Sequence, residues 1–548
     1  MLLVKHCSLA YCNFLVSMSA TKDQNEFSHT ASNAGLIGVT AMLGALVGFV
    51  LQLLVAFNFG ASNQTDAYFM ALSTSEMLSK LLLGGSITAV FLPMFVARLA
   101  KNKRSDAWHL ALNILHITLF AYIFILALIA IFAGSFISFI APGFDSATHT
   151  LTTSLLLVLL PSFAVLYLVE LSTSMLQALE HFVIPALFRI ITPTVSIISI
   201  ILLLKHVGIF SLAIGVVIGS FIQLSLVFWA LYRQGFKYRF IFKPFDPAIK
   251  RLVYLTYPFL FSVLMTQGAG ITYRILVSDL SEGSLSAIKF AEKITQLLTI
   301  VFLNSVTMVI YPILSKKAAQ HDMVGLRNTI ASSLRLITFT TLPIIVGVAL
   351  LRNPITAFLY QRGSFSASDT AMTSIALLFL VMGLTTNGIS SVFGHATLAL
   401  QKTRAAVAVT MASQVVAIGL FLVLVPVMSH AGLALASSLV PISIALLYFL
   451  YLTKFIPNLI SVFLHVTYIK IIVLSVLMGL LVYVSAPVFS HLSSVAQLSL
   501  FLQVFVPTIL GATFYFLCAY FWCIPEMHDL LDIFRSKLGK LKVLKSSR

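Results

Sequence analysis

Hydrophobic residues along this chain occur in long runs with few of the strand-like alternations of β proteins. From about residue 35 to residue 523 the runs recur at a length of roughly 20 residues, the number that an α-helix needs to cross about 30 Å of hydrocarbon. Because a helix satisfies its own backbone polar groups in lipid, the pattern predicts transmembrane helices. Fourteen predicted spans begin near residues 35, 66, 107, 150, 183, 208, 251, 285, 328, 371, 403, 430, 468 and 499.

Composition agrees with this pattern. Of the 548 residues, 59% are hydrophobic and only 9% are charged, too few charges to cover a water-soluble surface. No segment between the runs is long enough to form a soluble domain. The sequence therefore predicts an all-α polytopic membrane protein.

The net charge of +17 could suggest a nucleic-acid partner, but the positions of the basic residues indicate membrane topology instead. With fourteen spans and a cytoplasmic N-terminus, 22 Lys and Arg residues lie in cytoplasmic loops and the tail, against only Lys205, Arg352 and Arg362 outside. This is the positive-inside bias of inner-membrane proteins. We predict a multi-pass membrane protein with both termini in the cytoplasm and no nucleic-acid partner.

The first 34 residues resemble a secretory signal, but cleavage would invert every loop, so an uncleaved cytoplasmic extension is expected. Met18 is a second candidate start. The four cysteines, Cys7, Cys12, Cys518 and Cys523, have no metal-ligand partners at suitable spacing, and no metal site is predicted.

The chain contains a weak internal repeat of about 219 residues. SITAVFLPMF (86–95) aligns with SVTMVIYPIL (305–314), and PGFDSATHT (142–150) aligns with RGSFSASDT (362–370). Six spans per unit is an even number, which predicts two parallel six-helix lobes related by an axis along the membrane normal, with a substrate site between them. The predicted parts are a cytoplasmic extension (1–34), an N-lobe (35–245), a C-lobe (246–456), two extra helices (457–525) and a basic tail (526–548).

Charged residues within the spans are the candidate site, because each costs about 2.5 to 3.5 kcal/mol at bilayer depth and usually faces a cavity or a partner. In the second span, helical geometry places Ser73, Glu76 and Lys80 within about 80° of Asp66, in one polar stripe. An ion pair between Glu76 and Lys80, or a capping role for Asp66, is the structural alternative.

The second half repeats this pattern with Lys289, Glu292 and Lys293, and the seventh span adds Arg274. We expect Lys80, Arg274, Lys289 and Lys293 to converge on one space, which would suit a phosphate or pyrophosphate. In the alternative, Arg274 and Lys289 lie near the outer membrane surface.

Motifs of enzyme chemistry are missing from the sequence. It has no GxxxxGK[ST] phosphate loop, no HExxH zinc pair and no GxSxG elbow, so we predict a transporter without catalytic residues or cofactors. Energy would come from an ion gradient, the membrane potential or removal of product.

Six segments, here called the landmark segments, resemble one known family, the MurJ (MviN) lipid II flippases of the multidrug/oligosaccharidyl-lipid/polysaccharide exporter superfamily. They occur in family order, with two further helices after them. The landmark segments are FGASNQTDAYF (59–69), FLPMF (91–95), IAPGFD (140–145), YPILSK (311–316), YQRGSFSASD (360–369) and HAGLALASSL (430–439).

The resemblance implies two six-helix lobes around a cationic cavity, a hydrophobic groove at the last two helices, and alternating access. It implies movement of undecaprenyl-pyrophosphate-linked peptidoglycan precursor, lipid II, to the outer leaflet for cell-wall synthesis, by a chain expected to be a monomer. In the family, arginines usually stand where this chain has Ala45, Leu51 and Ser79, and an acidic residue where it has Gly84. Two alternatives stay open: a flippase for another polyprenyl-linked glycan, such as an O-antigen or capsule unit, and a non-transporting scaffold for envelope synthesis.

Overall fold

A computed structural model describes residues 38–83, 86–101, 104–181, 183–490 and 496–528. Most of these residues belong to helices. In chain order the helices are α1 (Gly38–Phe59), α2 (Asn63–Leu83), α3 (Ser86–Ala100), α4 (Arg104–Ile131), α5 (Ala133–Ile140), α6 (Ser146–Ala178), α7 (Val183–Val207), α8 (Phe210–Arg233), α9 (Pro247–Ser278), α10 (Ser284–Leu298), α11 (Ser305–Ala319), α12 (Met323–Leu350), α13 (Arg352–Tyr360), α14 (Ala367–Ala399), α15 (Thr403–Leu452), α16 (Val466–Ser490) and α17 (Ala496–Phe521). A π-helical turn, Thr299–Asn304, joins α10 to α11, and a 3-10 turn, Leu459–Phe463, precedes α16.

The helices begin where the hydrophobic runs predict. A helix starts within about five residues of thirteen of the fourteen predicted positions, and the remaining one, near residue 430, falls on a kink inside α15. At that kink Ser429 has φ 53° and ψ −131°. Ten helices in the described part of the chain are long and apolar enough to cross a membrane by length and composition.

Side-chain caps fix several of these helix starts. Asp145 accepts a hydrogen bond from the N–H of Ala147 at the start of α6, and Asp246 does the same for Ala248 at the start of α9. Ahead of α12, the hydrogen bond from Lys317 and the N–H of Gly325 hold the pKa of the Asp322 carboxyl below its usual range. Such caps satisfy backbone donors that have no partner within the helix.

The helices form two packed groups joined by α9. In the first half α2 and α8 pack on α6, and α7 packs on α8; in the second half α10, α12 and α15 pack on α14. Helix α9 contacts α2 and α3 on one side and α15 on the other. Large apolar side chains face outward along the bundle, for example Phe120 at 68% exposure and Ile131 at 73%, as expected for a lipid-facing surface.

The last two helices form an antiparallel pair against α12. Helix α16 packs on α12 and α17, and Phe339, Leu474 and Tyr515 lie buried between the three. At the end of α17, Glu526 is 2% exposed and accepts a hydrogen bond from Arg335 of α12. The pair is thus held to the second half by an apolar contact and an ion pair.

Several predicted features lie outside the described residues. These are the N-terminal extension through residue 37, Gly84 and Gly85, the side chain of Lys80, and the basic tail from residue 529.

Candidate substrate cavity

A cavity of about 1000 Å³ opens between α1, α2, α6, α7, α8, α9 and α10. Its walls are mostly apolar, and its charged lining groups in the described residues are Glu76, Glu170 and Lys293. Two carboxylates therefore face one ammonium group. Its polar lining residues are Gln52, Ser75, Ser79, Thr173, Thr192, Ser196, Thr266 and Gln267.

One face of α2 supplies the longest stretch of this lining. Tyr68, Leu72, Ser75, Glu76 and Ser79 recur at intervals of three or four residues and so point the same way from the helix. This places Glu76 on the cavity wall.

Asp66 and Ser73 lie on the neighbouring face of α2, which is turned toward the second half of the chain. The Asp66 carboxylate is 4% exposed and accepts three hydrogen bonds, from the N–H of Gly283, the N–H of Ser286 and the Ser286 hydroxyl, at 2.6 to 2.8 Å. These donors lie at the start of α10, where free N–H groups and the helix dipole favour a negative charge. Asp66 therefore caps α10 and is not part of the cavity lining.

Arg274 of α9 also binds this second face of α2. Its guanidinium donates to the Ser73 carbonyl oxygen at 2.6 Å and to the Ser73 hydroxyl at 3.3 Å, and it approaches the Met77 sulfur at 3.5 Å. The cation is thus engaged in joining α9 to α2. It does not line the cavity.

The three charged residues of α10 have different surroundings. Lys289 forms an ion pair with Glu292 at 2.8 Å and lies 5.9 Å from the ring centre of Tyr273. Neither member of this pair lines the cavity. Lys293 lines the cavity. Its ammonium nitrogen lies close to α1, since a Cβ added to Gly48 would be only 3.0 Å from it. Of the four cations expected to converge, the structure brings Lys293 to the cavity, turns Arg274 and Lys289 elsewhere, and leaves the Lys80 side chain undescribed.

The two halves close on each other at the end of the bundle where α1 ends and α2 begins. Two landmark segments meet there: the N–H of Ser364 donates to the Phe57 carbonyl at 2.8 Å, and the N–H of Ala61 donates to Asp369 at 3.3 Å. Gly363 has a φ of +62°, and a Cβ added to it would lie only 2.3 Å from the Phe57 carbonyl oxygen. Glycine is needed at such a left-handed, close-packed position.

A matching contact joins the halves a short distance away. Gly143, in a third landmark segment, lies where an added Cβ would be 2.6 Å from the Ser278 carbonyl oxygen at the end of α9, and its N–H donates to the Ser278 hydroxyl at 3.1 Å. The glycines are 220 residues apart, and their partners Phe57 and Ser278 are 221 apart. Each of the two aligned turns therefore contacts the other half of the chain.

Glu170 of α6 lines the cavity, and the next helix, α7, carries an arginine, Arg189. The two form no ion pair, and Arg189 instead packs against α1, where an added Cβ on Gly44 would lie 2.7 Å from the Arg189 Cβ. A carboxylate in an apolar span was the available signal for a cavity residue. The sequence did not show that the Glu170 side chain on α6 points into the cavity.

Comparisons with known proteins agree with this fold. A model of the family described as "Lipid II flippase MurJ" matches residues 55–506. The chain is 28% identical over 433 residues to a protein of Thermosipho africanus named "Lipid II flippase MurJ", covering 77% of this chain and 85% of that one.

Solved structures share the architecture. The structure titled "Lipid II flippase MurJ, inward closed conformation" has a TM-score of 0.75 at 24% identity, covering 89% of this chain and 99% of that one. An inward-facing multidrug resistance MATE transporter of the MOP superfamily has a TM-score of 0.65 at 14% identity, over 77% and 96% of the two chains. The described helices, the cavity and the match to more than four-fifths of the sequence lead to one conclusion: this multi-pass membrane protein belongs to the lipid II flippase MurJ family.

Proposed function

We propose that this chain is a lipid II flippase, which moves undecaprenyl-pyrophosphate-linked peptidoglycan precursor from the inner to the outer leaflet of the bacterial cytoplasmic membrane. Family membership over residues 55–506 carries the proposal. The charged and polar groups of the cavity lining support it, because a charged glycan headgroup cannot cross hydrocarbon without shielding, whereas the polyprenyl tail can remain in lipid. The chain acts as a transporter in this proposal, without covalent chemistry.

In this proposal the membrane is crossed fourteen times, with α2 and α3, and α10 and α11, each serving as one broken span, and α15 as two spans. The lobes are residues 35–245 and 246–456, and 457–525 form the additional pair. The equivalent contacts of Gly143 and Gly363 support a parallel repeat of two lobes.

The basic loops set the proposed orientation. Both termini lie in the cytoplasm in this proposal, because the loops that follow α3, α8 and α11 are rich in basic residues. The closed end, where Asp66 caps α10, then faces the outer side. Transport requires this end to open, since a headgroup in the cavity has no exit to the outer leaflet while the halves are joined there.

Lys293 is the lining cation that we propose contacts the pyrophosphate. As a point charge it can attract phosphate without the planar grip of arginine. Glu76, Glu170 and the amides of Gln52 and Gln267 offer hydrogen-bond acceptors and donors for the sugars and the peptide of the headgroup. We further propose that a monomer carries out transport, driven by a coupling ion or the membrane potential.

Replacing Lys293 with Ala tests the proposal. In cells that depend on this chain, the variant should insert normally but transport lipid II at least about tenfold more slowly, because a charge-assisted contact contributes about 1.5 to 3 kcal/mol. The measurement is the amount of lipid II on the inner leaflet after depletion of the wild-type copy.

The matched control removes the neighbouring ion pair that lies outside the cavity lining. The double variant Lys289→Gln/Glu292→Gln should insert and transport close to the wild-type rate. If Lys293→Ala transports normally, the role of Lys293 fails. If depletion causes a different polyprenyl-linked glycan to accumulate, lipid II is not the substrate, and if no precursor accumulates the chain is a scaffold.

A further inference from the structure

The connection between α8 and α9 is a non-helical segment with an unusual side-chain pattern, here called the interfacial segment (236–245). Its even positions from 236 to 242 are all aromatic, whereas three of the four odd positions from 237 to 243 are basic. Aromatic and basic residues therefore alternate along most of the segment. The aromatic residues are Phe236, Tyr238, Phe240 and Phe242, and the basic ones are Lys237, Arg239 and Lys243.

The aromatic side lies along α4. Tyr238 and Phe240 pack on the His116 ring at 5.4 and 4.9 Å, and Phe242 packs on Phe120 at 5.9 Å. Phe120 follows the start of α4 by 16 residues, or about 24 Å, and is itself 68% exposed. The segment therefore extends along a helix surface that otherwise faces lipid.

Side chains of α4 satisfy the backbone of this segment. The Asn113 amide donates to the Lys243 carbonyl at 3.1 Å and accepts from the Lys243 N–H at 2.7 Å, while His116 Nδ1 lies 3.1 Å from the Ile241 carbonyl oxygen. Asn113 and His116 are 3% and 6% exposed. Non-helical backbone at membrane depth is tolerated where the protein supplies such partners, so two polar residues of an apolar span are explained by this connection.

Large aromatic groups of the segment nevertheless remain uncovered. Phe240 is 73% exposed, Tyr238 63% and Phe245 84%. Aromatic side chains are enriched where a protein meets the headgroup region of a bilayer. Their position beside Phe120 indicates lipid, rather than water, as their surroundings.

The basic side of the segment borders a concave site of about 400 Å³, here called the basic notch. Arg104, Lys237 and Arg239 line it together with His109 and Trp108. No carboxylate is part of its lining among the residues that the structure describes. Three cations that line one site, adjoining exposed aromatic groups, fit a phosphate headgroup attached to acyl chains.

We propose that the interfacial segment and the basic notch form a binding site for an anionic phospholipid. The phosphate lies between Arg104, Lys237 and Arg239, and the acyl chains lie against Phe240 and Phe242. This site is outside the cavity and does not depend on the proposed transport function. Since the segment connects the two halves of the chain, a bound lipid would fix one end of that connection on α4.

Native mass spectrometry of the full-length protein tests the site, with phosphatidylglycerol and phosphatidylcholine added to separate samples. The double variant Lys237→Gln/Arg239→Gln should bind phosphatidylglycerol about tenfold more weakly, because each basic group near an anionic surface contributes a several-fold preference. Phosphatidylcholine binding should not change. The matched control Arg404→Gln/Lys454→Gln removes two exposed charges from the second half and should bind both lipids like wild type.

Three results would overturn the proposal. The notch variant could keep wild-type affinity for phosphatidylglycerol, or its affinity for phosphatidylcholine could fall equally. Inorganic phosphate at the concentration of the lipid could displace phosphatidylglycerol, which would indicate a site for a soluble anion.

A second measurement locates the segment. In vesicles, the additional fluorescence of the Phe240→Trp variant over wild type should be quenched by acyl-brominated phosphatidylglycerol and protected from aqueous iodide. Quenching by iodide alone would place the segment in water and refute the proposal, whatever the affinities.

Discussion

At the scale of single residues, Glu76 and Asp66 of the same helix have different surroundings. The Glu76 side chain lines the cavity, whereas the Asp66 carboxylate is buried against the start of α10 with three hydrogen-bond donors. The two positions differ by about 80° around the helix, enough to separate a cavity wall from a contact between the halves. A buried, fully hydrogen-bonded carboxylate stabilises the closed arrangement.

Replacing Asp66 with Asn should weaken the contact between α2 and the start of α10 that closes one end of the bundle. The amide keeps the size of the side chain but removes the charge and turns a donor toward the N–H groups of α10. Hydrogen bonds to a charged group contribute about 1.5 to 3 kcal/mol, so we expect the open fraction to rise about tenfold. The measurement is the rate at which an impermeant maleimide labels a Ser284→Cys reporter at the start of α10, where the native side chain is 1% exposed.

Glu282→Gln is the control, because the Glu282 carboxylate accepts the Asn63 N–H at 2.9 Å across the same end but in an exposed position. Its labelling rate should stay near that of the unmodified chain. If the Asp66→Asn variant is labelled as slowly as the chain that carries only the reporter, Asp66 does not hold this end closed.

At the scale of elements, short turns bring the halves together. The turn before α14 places Gly363 against the last residues of α1, and the turn before α6 places Gly143 against the last residues of α9. Both turns come from segments that align in the internal repeat. The glycines are required because backbone of one half contacts backbone of the other.

Replacing Gly363 with Ala should separate the turn before α14 from the end of α1, because the added Cβ would lie 2.3 Å from the Phe57 carbonyl oxygen. Gly208→Ala is a matched control: its φ of +55° is similarly left-handed, but no other atom lies within 4 Å of the added Cβ. Both changes should destabilise the fold by about 1 kcal/mol through backbone strain.

Labelling and transport separate the two glycine variants. Only Gly363→Ala should accelerate maleimide labelling of an Asn58→Cys reporter and slow lipid II transport. Equal effects in both variants would mean that strain, and not loss of the contact, is responsible.

At the scale of the whole molecule, the closed end and the cavity define a single state of a transporter whose halves must separate. The halves are joined by hydrogen bonds at one end, by the Arg274 contact with Ser73 near the middle of α2, and by the packing of α9 on α2 and α3. In the proposed rocking of the two bundles, the contacts at the closed end break and re-form in each cycle.

A disulfide across the closed end should therefore stop transport. Phe57 and Ser364 are joined by a backbone hydrogen bond of 2.8 Å, so the pair Phe57→Cys/Ser364→Cys, in a chain whose four native cysteines are changed to Ser, should cross-link on oxidation. Lipid II transport should fall to background and return after reduction with dithiothreitol.

Each variant with only one of the two cysteines should transport normally both after oxidation and after reduction. Undiminished transport by the cross-linked protein would show that this end does not open during the cycle.

The sequence alone determined the positions of the helices and the family resemblance. Hydrophobic runs locate helix starts to within about five residues, because in lipid each span forms its own backbone hydrogen bonds. The landmark segments 59–69 and 360–369 were visible as motifs without showing that they contact each other.

Only the tertiary structure decided which way the charged residues point. Arg274 and Lys293 carry the same charge on adjacent helices, yet one binds α2 and the other lines the cavity. Likewise, Asn113 and His116 are isolated polar residues in the sequence, and their partners lie more than 120 residues away. Helical periodicity fixes the angles between side chains on one helix, but the partner on each face is set by long-range packing, which local sequence does not encode.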